Sequence, residues 1–98
     1  MNLLNETKEI LHDNGKTFSD VIWCGNVNGS MTVKEFRKLA NIEYNDECGT
    51  QEISNSLVVV GKNWWLERGE YDGKEWWEFK QLPKKPKYRF DRGTLRIK

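Results

Sequence analysis

The sequence is poor in the residues that build most catalytic, metal and disulfide sites. It has one histidine, two cysteines and two prolines among 98 residues, and no apolar run approaches the ~18 residues that a membrane-spanning helix needs. Cys24 and Cys48 are too few for a disulfide framework, and His12 adds no close ligand pair for zinc. We therefore expect free thiols, no bound metal and no cofactor.

Two further signals are missing. Residues 1–11 mix Glu6, Lys8 and Glu9 with leucines, whereas an export signal places a charged region before an uninterrupted apolar one. The sequence also contains no glycine-rich phosphate loop and no recognisable pairing of serine or cysteine with histidine. We expect a cytoplasmic protein without enzymatic activity.

An aromatic-rich segment, residues 63–80, carries four of the five tryptophans. Asp72-Gly73 lies between its two halves, and this dipeptide between aromatic runs predicts a β-hairpin with a two-residue type I′ turn. Counting outward from the turn gives the cross-strand pairs Tyr71–Lys74, Gly69–Trp76, Arg68–Trp77, Glu67–Glu78 and Leu66–Phe79.

Side chains alternate between the two faces of a sheet, so this register sorts the hairpin residues into two sets. The set predicted to face the core is Trp64, Leu66, Trp77 and Phe79. The other set mixes indoles with charges: Trp65, Glu67, Tyr71, Trp76, Glu78 and Lys80. Glu67 and Glu78 could be drawn as a glycosidase-like acid and base. We favour the interpretation that both carboxylates are exposed and that Lys74, Lys80 or solvent relieves the repulsion between them.

The rest of the chain predicts two helices and two strands. Apolar residues at helical spacing in 3–11, followed by Asn14-Gly15, indicate a helix whose opposite face (Glu6, Glu9, Asp13) is solvated. A capping-box pattern starting at Thr32 predicts a second helix, with Phe36, Leu39 and Ala40 on its apolar face. The apolar runs 21–24 and 57–60 predict strands, the first buried on both faces. Residues 45–56 are expected to form a loop, with Ile53 reaching the core.

These elements predict one α+β domain over residues 1–98, with two helices packed on an antiparallel sheet built around a central Trp-rich hairpin meander. The alternation of apolar and basic residues around 91–94 predicts a further hairpin at the C-terminus. The segment 80–98 holds eight basic residues and one acid, whereas residues 1–79 hold eight basic residues and fourteen acids. Such a division of charge favours an electrostatic partner surface.

The first functional hypothesis is protein binding through the non-core face of the hairpin. Tryptophan and tyrosine dominate many protein interfaces, and acidic residues could meet a basic groove of the partner. The predicted contact residues are Trp65, Tyr71 and Trp76 with the acids Asp46, Glu47, Glu52, Glu67 and Glu78. In the alternative interpretation, helix 33–40 or segment 83–86 covers this face and the indoles belong to the core.

The second hypothesis is nucleic-acid binding by the basic C-terminal segment. Its basic residues are interleaved with Tyr88 and Phe90, a pattern that suits phosphate contacts combined with base stacking. The predicted contact residues are Lys84, Lys85, Lys87, Arg89, Arg92 and Arg96. Against this hypothesis, the domain as a whole is not basic.

The runs 58–68, 71–73 and 76–79 together resemble a recurring pattern in small uncharacterised proteins of phages and prophages of Gram-positive bacteria. Proteins of this size and origin include the anti-CRISPRs, which inhibit host RNA-guided nucleases stoichiometrically. The resemblance implies a cytoplasmic inhibitor that associates with a host protein such as a CRISPR effector nuclease. Because acids are spread over residues 6–78 and offset by a basic tail, imitation of DNA by the whole surface is not expected.

Overall fold

The computed structural model describes residues 1–45 and 50–96, which contain two helices and five strands. Their bounds are α1 Leu3–Asp13, β1 Val21–Asn26, β2 Gly29–Met31, α2 Val33–Leu39, β3 Val58–Gly61, β4 Trp64–Tyr71 and β5 Lys74–Gln81. Short 3₁₀ turns cover Phe18–Asp20 and Arg92–Thr94. No helix in the described ranges has both the length and the apolar character needed to cross a membrane.

The five strands form one antiparallel sheet in the order β2-β1-β3-β4-β5, which confirms the α+β class. The turn between β4 and β5 is confirmed as type I′, because Asp72 and Gly73 have φ values of 52° and 84°. The predicted hairpin register is also confirmed. The predicted central position of the hairpin is not confirmed: β3 is the middle strand and β5 lies at the edge.

One face of the sheet packs against both helices to form the core. Strand residues Cys24, Val59, Leu66, Trp64 and Trp77 are buried there against helix residues Leu3, Leu11 and Phe36. The predicted core face of the hairpin is therefore confirmed, with Trp64 stacked on Phe79 at 5.7 Å between ring centroids. Ile53 is buried in the same core, as predicted.

Three predictions about individual elements are wrong. Strand β1 is buried on one face only, with Ile22 exposed, because the helices lie on a single side of the sheet. The capping box of α2 is present, but Leu39 is exposed because the helix ends there after seven residues. The C-terminal hairpin is absent from residues 82–96, which carry no strand. Pro83 and Pro86 cannot donate to a ladder, and Asp91 instead caps the 3₁₀ turn Arg92–Thr94.

Cys24 is fully buried in the core, and burial raises the pKa of its thiol from 9.0 to about 12. In a Cys48→Ser variant, where Cys24 is the single thiol, we expect dithionitrobenzoate at pH 8 to label the folded protein at least ~100-fold more slowly than the urea-unfolded protein. Equal labelling rates in the folded and unfolded protein would contradict this burial.

The raised pKa of Cys24 also contributes stability that is fully present below pH 9 and is lost as the pH rises towards 12.

Candidate functional site

The face of the sheet opposite the helices presents a continuous group of aromatic, aliphatic and acidic side chains. The strand register aligns Trp23, Val60, Trp65 and Lys80 in one row and Gly25, Val58, Glu67 and Glu78 in the next. Trp76 extends the group on β5. We call Trp23, Val58, Val60, Trp65, Glu67, Trp76 and Glu78 the aromatic sheet face. Six of these side chains are half-buried, and Trp76 is 38% exposed.

Trp76 is held against the sheet by its cross-strand partner Gly69. A methyl group at residue 69 would lie 2.5 Å from the Nε1 atom of the Trp76 indole, so the indole lies directly over the glycine backbone. One side of the ring therefore packs on the strand while the other side stays accessible. This packing presents an indole in a defined position at little cost in side-chain entropy.

Glu67 and Glu78 face each other across the hairpin, as predicted. The Lys80 ammonium lies 3.8 Å from a Glu67 carboxylate oxygen, and both side chains are more than two-fifths exposed. An exposed pair of this kind contributes at most about 1 kcal/mol. The arrangement leaves these charges at the border of the indoles.

The structure does not bring all the predicted binding residues together. Tyr71 is exposed next to the hairpin turn. Glu52 lies on the helix side of the sheet, where its carboxylate accepts a hydrogen bond from the Asn45 amide at 2.8 Å. Asp46 and Glu47 lie outside the described residues. Of the three predicted acids that the structure describes, Glu67 and Glu78 belong to the aromatic sheet face and Glu52 does not.

Sequence reasoning missed a charged cluster buried between α1 and the hairpin. The Arg68 side chain is fully buried, and its guanidinium lies 3.3 Å from the Glu6 carboxylate and 3.4 Å from the Glu75 carboxylate. Its Nη2 also donates to the Tyr44 hydroxyl at 3.0 Å. The Cζ atom of the guanidinium lies 4.8 Å from the centre of the Trp77 ring. The sequence contained a signal for the burial of Arg68, because this residue continues the alternation of Trp64 and Leu66 on the core face.

This cluster corrects the prediction that Glu6 is solvated. The Glu6 side chain is 12% exposed, and its carboxylate accepts hydrogen bonds from the Tyr44 hydroxyl and from the Trp77 amide at 3.2 Å. Burial, followed by the contact with Glu6, raises the pKa of Tyr44 above its usual value. The Glu75 carboxylate accepts hydrogen bonds from the backbone amides of Glu52 and Ile53 at 2.6 and 3.1 Å. The hydrogen bonds of this cluster therefore join α1, the loop before β3 and the β4–β5 hairpin.

The basic C-terminal residues Lys84, Lys85, Lys87, Arg89, Arg92 and Arg96 are all exposed. None of them forms an ion pair within residues 1–45 and 50–96. Tyr88 and Phe90 are exposed between them. Segment 83–86 does not cover the aromatic sheet face; Pro83 and Lys84 instead line a groove with Trp64 and Lys16.

No metal-binding group of three His, Cys, Asp or Glu residues is present in the part of the chain that the structure describes. Cys24 is buried in the core, whereas His12 is exposed on α1.

No protein-family model, curated protein or solved structure matches this chain. Proposals about its function therefore depend on the arrangement of its own side chains.

Proposed function

We propose that the chain is a non-catalytic cytoplasmic protein that binds another protein through the aromatic sheet face. The observation that carries this proposal is the difference between the two sides of the sheet. Both helices bury their apolar residues on one side, while Trp23, Trp65 and Trp76 are only half-covered on the other. Half-covered tryptophans with a polar border are typical of protein interfaces.

Charge indicates the chemistry of the partner. Glu67 and Glu78 add negative charge beside the indoles, and among residues 1–45 and 50–96 only Glu67 of the two forms an ion pair, with the exposed Lys80. A basic groove on the partner would complement this surface and accelerate association. RNA-guided nucleases have positively charged channels for nucleic acid. The specific form of our proposal is therefore a phage-encoded inhibitor that associates stoichiometrically with a host CRISPR nuclease.

The test uses the immobilised chain and a panel of guide-loaded nucleases. We expect the wild-type chain to retain one nuclease at a 1:1 ratio and to inhibit its DNA cleavage. Two variants, Trp65→Ala/Trp76→Ala and Glu67→Lys/Glu78→Lys, should lose at least ~90% of this binding, because large losses come from central aromatic and charged contacts.

The matched control is Glu9→Lys/Asp13→Lys on α1, which reverses two exposed acidic residues that belong to neither the aromatic sheet face nor the α2 surface. This variant should bind like the wild-type chain. Circular dichroism must show that every variant is folded. Equal binding by the sheet-face variants and the wild-type chain would contradict the proposed contact surface.

A further inference from the structure

Three grooves on the domain form a continuous basic surface. The first, of about 670 Å³, is lined by Lys34, Arg37 and Lys38 of α2. The second, of about 520 Å³, shares Arg37 with the first and adds Lys8 and Lys16. The third, of about 350 Å³, shares Lys16 with the second and adds two more lysines, Lys62 and Lys84. We call these seven cationic residues the basic track.

No acidic side chain lines the basic track in the part of the chain that the structure describes: the three grooves contain neither aspartate nor glutamate. None of the seven cations forms an ion pair within the described ranges. In contrast, the small groove beside α1 is lined by Glu6, Glu9 and Asp13 without any basic residue. The near-neutral net charge of the chain therefore hides a segregated surface.

Two of the cations are positioned by aromatic rings. The Arg37 guanidinium lies 4.9 Å from the centre of the Phe18 ring, and the Lys16 ammonium lies 5.8 Å from the centre of the Trp64 ring. Contacts of this kind orient a cation without neutralising its charge. Arg37 and Lys16 are also the residues shared between neighbouring grooves, so each of the two junctions of the basic track has a cation that lies against an aromatic ring.

We infer that the basic track binds the phosphate backbone of a single-stranded nucleic acid. A row of unpaired cations complements a polymer that carries one charge per nucleotide. A single strand can enter concave grooves, and binding grooves for single strands combine cations that follow the backbone with aromatic rings for base stacking. At Lys84 the basic track continues into the basic C-terminal segment, where Tyr88 and Phe90 are exposed.

This inference is independent of the proposed protein contact, because the basic track lies mainly on the helices, the connection after α1 and the β3–β4 turn. It also extends the second hypothesis from the sequence, which placed nucleic-acid binding in the tail alone. An acidic protein segment would meet the same charges but would gain nothing from the stacking residues.

The experiment measures binding of the full chain to a fluorescein-labelled, mixed-sequence DNA of 20 nucleotides by fluorescence anisotropy. Each neutralised phosphate of a single strand contributes about 0.7 to the slope of log K against log salt. We expect a slope of about −3.5 to −5, equivalent to a loss of affinity of about 100- to 1,000-fold between 50 and 200 mM salt.

The decisive comparison is between two double variants that each remove two positive charges. Lys16→Gln/Arg37→Gln, in the basic track, should make the slope of log K against log salt less negative by about 1.4. Lys74→Gln/Lys80→Gln, on the hairpin outside the track, should leave the slope unchanged. Thermal unfolding checks that both variants are folded.

Five outcomes would overturn the inference. The first four are no salt-dependent binding at 50 mM salt, equal slopes for the two double variants, tighter binding to a 20-base-pair duplex than to the single strand, and polyglutamate binding as tight as that of DNA. A slope that falls only in Arg89→Gln/Arg92→Gln, and not in Lys16→Gln/Arg37→Gln, would assign binding to the tail and would also overturn it.

Discussion

Replacing Arg68 with methionine is expected to lower the free energy of unfolding by about 3–5 kcal/mol, because the change leaves buried carboxylates without their cation. The Glu75 side chain is fully buried and the Glu6 side chain is 12% exposed. Methionine is close to arginine in length, so the loss reports the missing charge and hydrogen bonds rather than a large cavity. Urea unfolding followed by far-UV circular dichroism measures the change.

Two comparisons make this prediction specific. Lys80→Met breaks the exposed pair with Glu67 and should cost at most about 1 kcal/mol. Arg68→Met/Glu75→Gln should recover part of the loss, because the glutamine is uncharged and its carbonyl oxygen can still accept an amide of the loop. If Arg68→Met and Lys80→Met lost equal stability, the buried cluster would not support the fold.

Trp77→Ala is expected to destabilise the chain by about 3–5 kcal/mol, the range found when a large buried aromatic side chain is truncated. The Trp77 side chain is 4% exposed. Its indole Nε1 donates to the Thr7 hydroxyl at 2.9 Å, and its ring packs against the guanidinium of Arg68. The substitution therefore removes a buried packing contact between β5 and α1 together with a buried hydrogen bond.

The neighbouring residue provides the control for this prediction. Trp76→Ala removes the same side chain from the opposite face of the same strand, where the ring is 38% exposed and packs on one side only. We expect a smaller loss, of about 1–2 kcal/mol. Equilibrium unfolding in urea compares the two variants. The slope of the unfolding free energy against urea concentration should be the same for both variants, which checks that each unfolds in two states. Similar losses for the two tryptophans would contradict the assignment of faces.

Local patterns determined much of the fold from the sequence alone. Asp72-Gly73 specified the turn because two consecutive residues with positive φ are needed there. The turn then determined the register of the hairpin, and the register determined which indole lies on which face. Thr32 and Glu35 determined the start of α2 through reciprocal hydrogen bonds between neighbours in the chain.

The order of the strands was beyond local patterns, because it depends on contacts between distant segments. The tertiary structure places β1 beside β3, and the Trp-rich hairpin consequently ends at an edge of the sheet. It also decides that both helices pack on one side, which exposes Ile22 and leaves Trp65 half-covered.

The charged surfaces divide in the same way. The sequence by itself determined that basic residues concentrate at the C-terminus and that Glu67 faces Glu78. Only the tertiary structure decided that Arg68 lies between Glu6 and Glu75, and that Arg37 and Lys16 join three grooves into one basic track. The physical reason is that alternation and capping act between near neighbours, whereas burial of a charge and continuity of a groove depend on residues that meet only when the chain has folded.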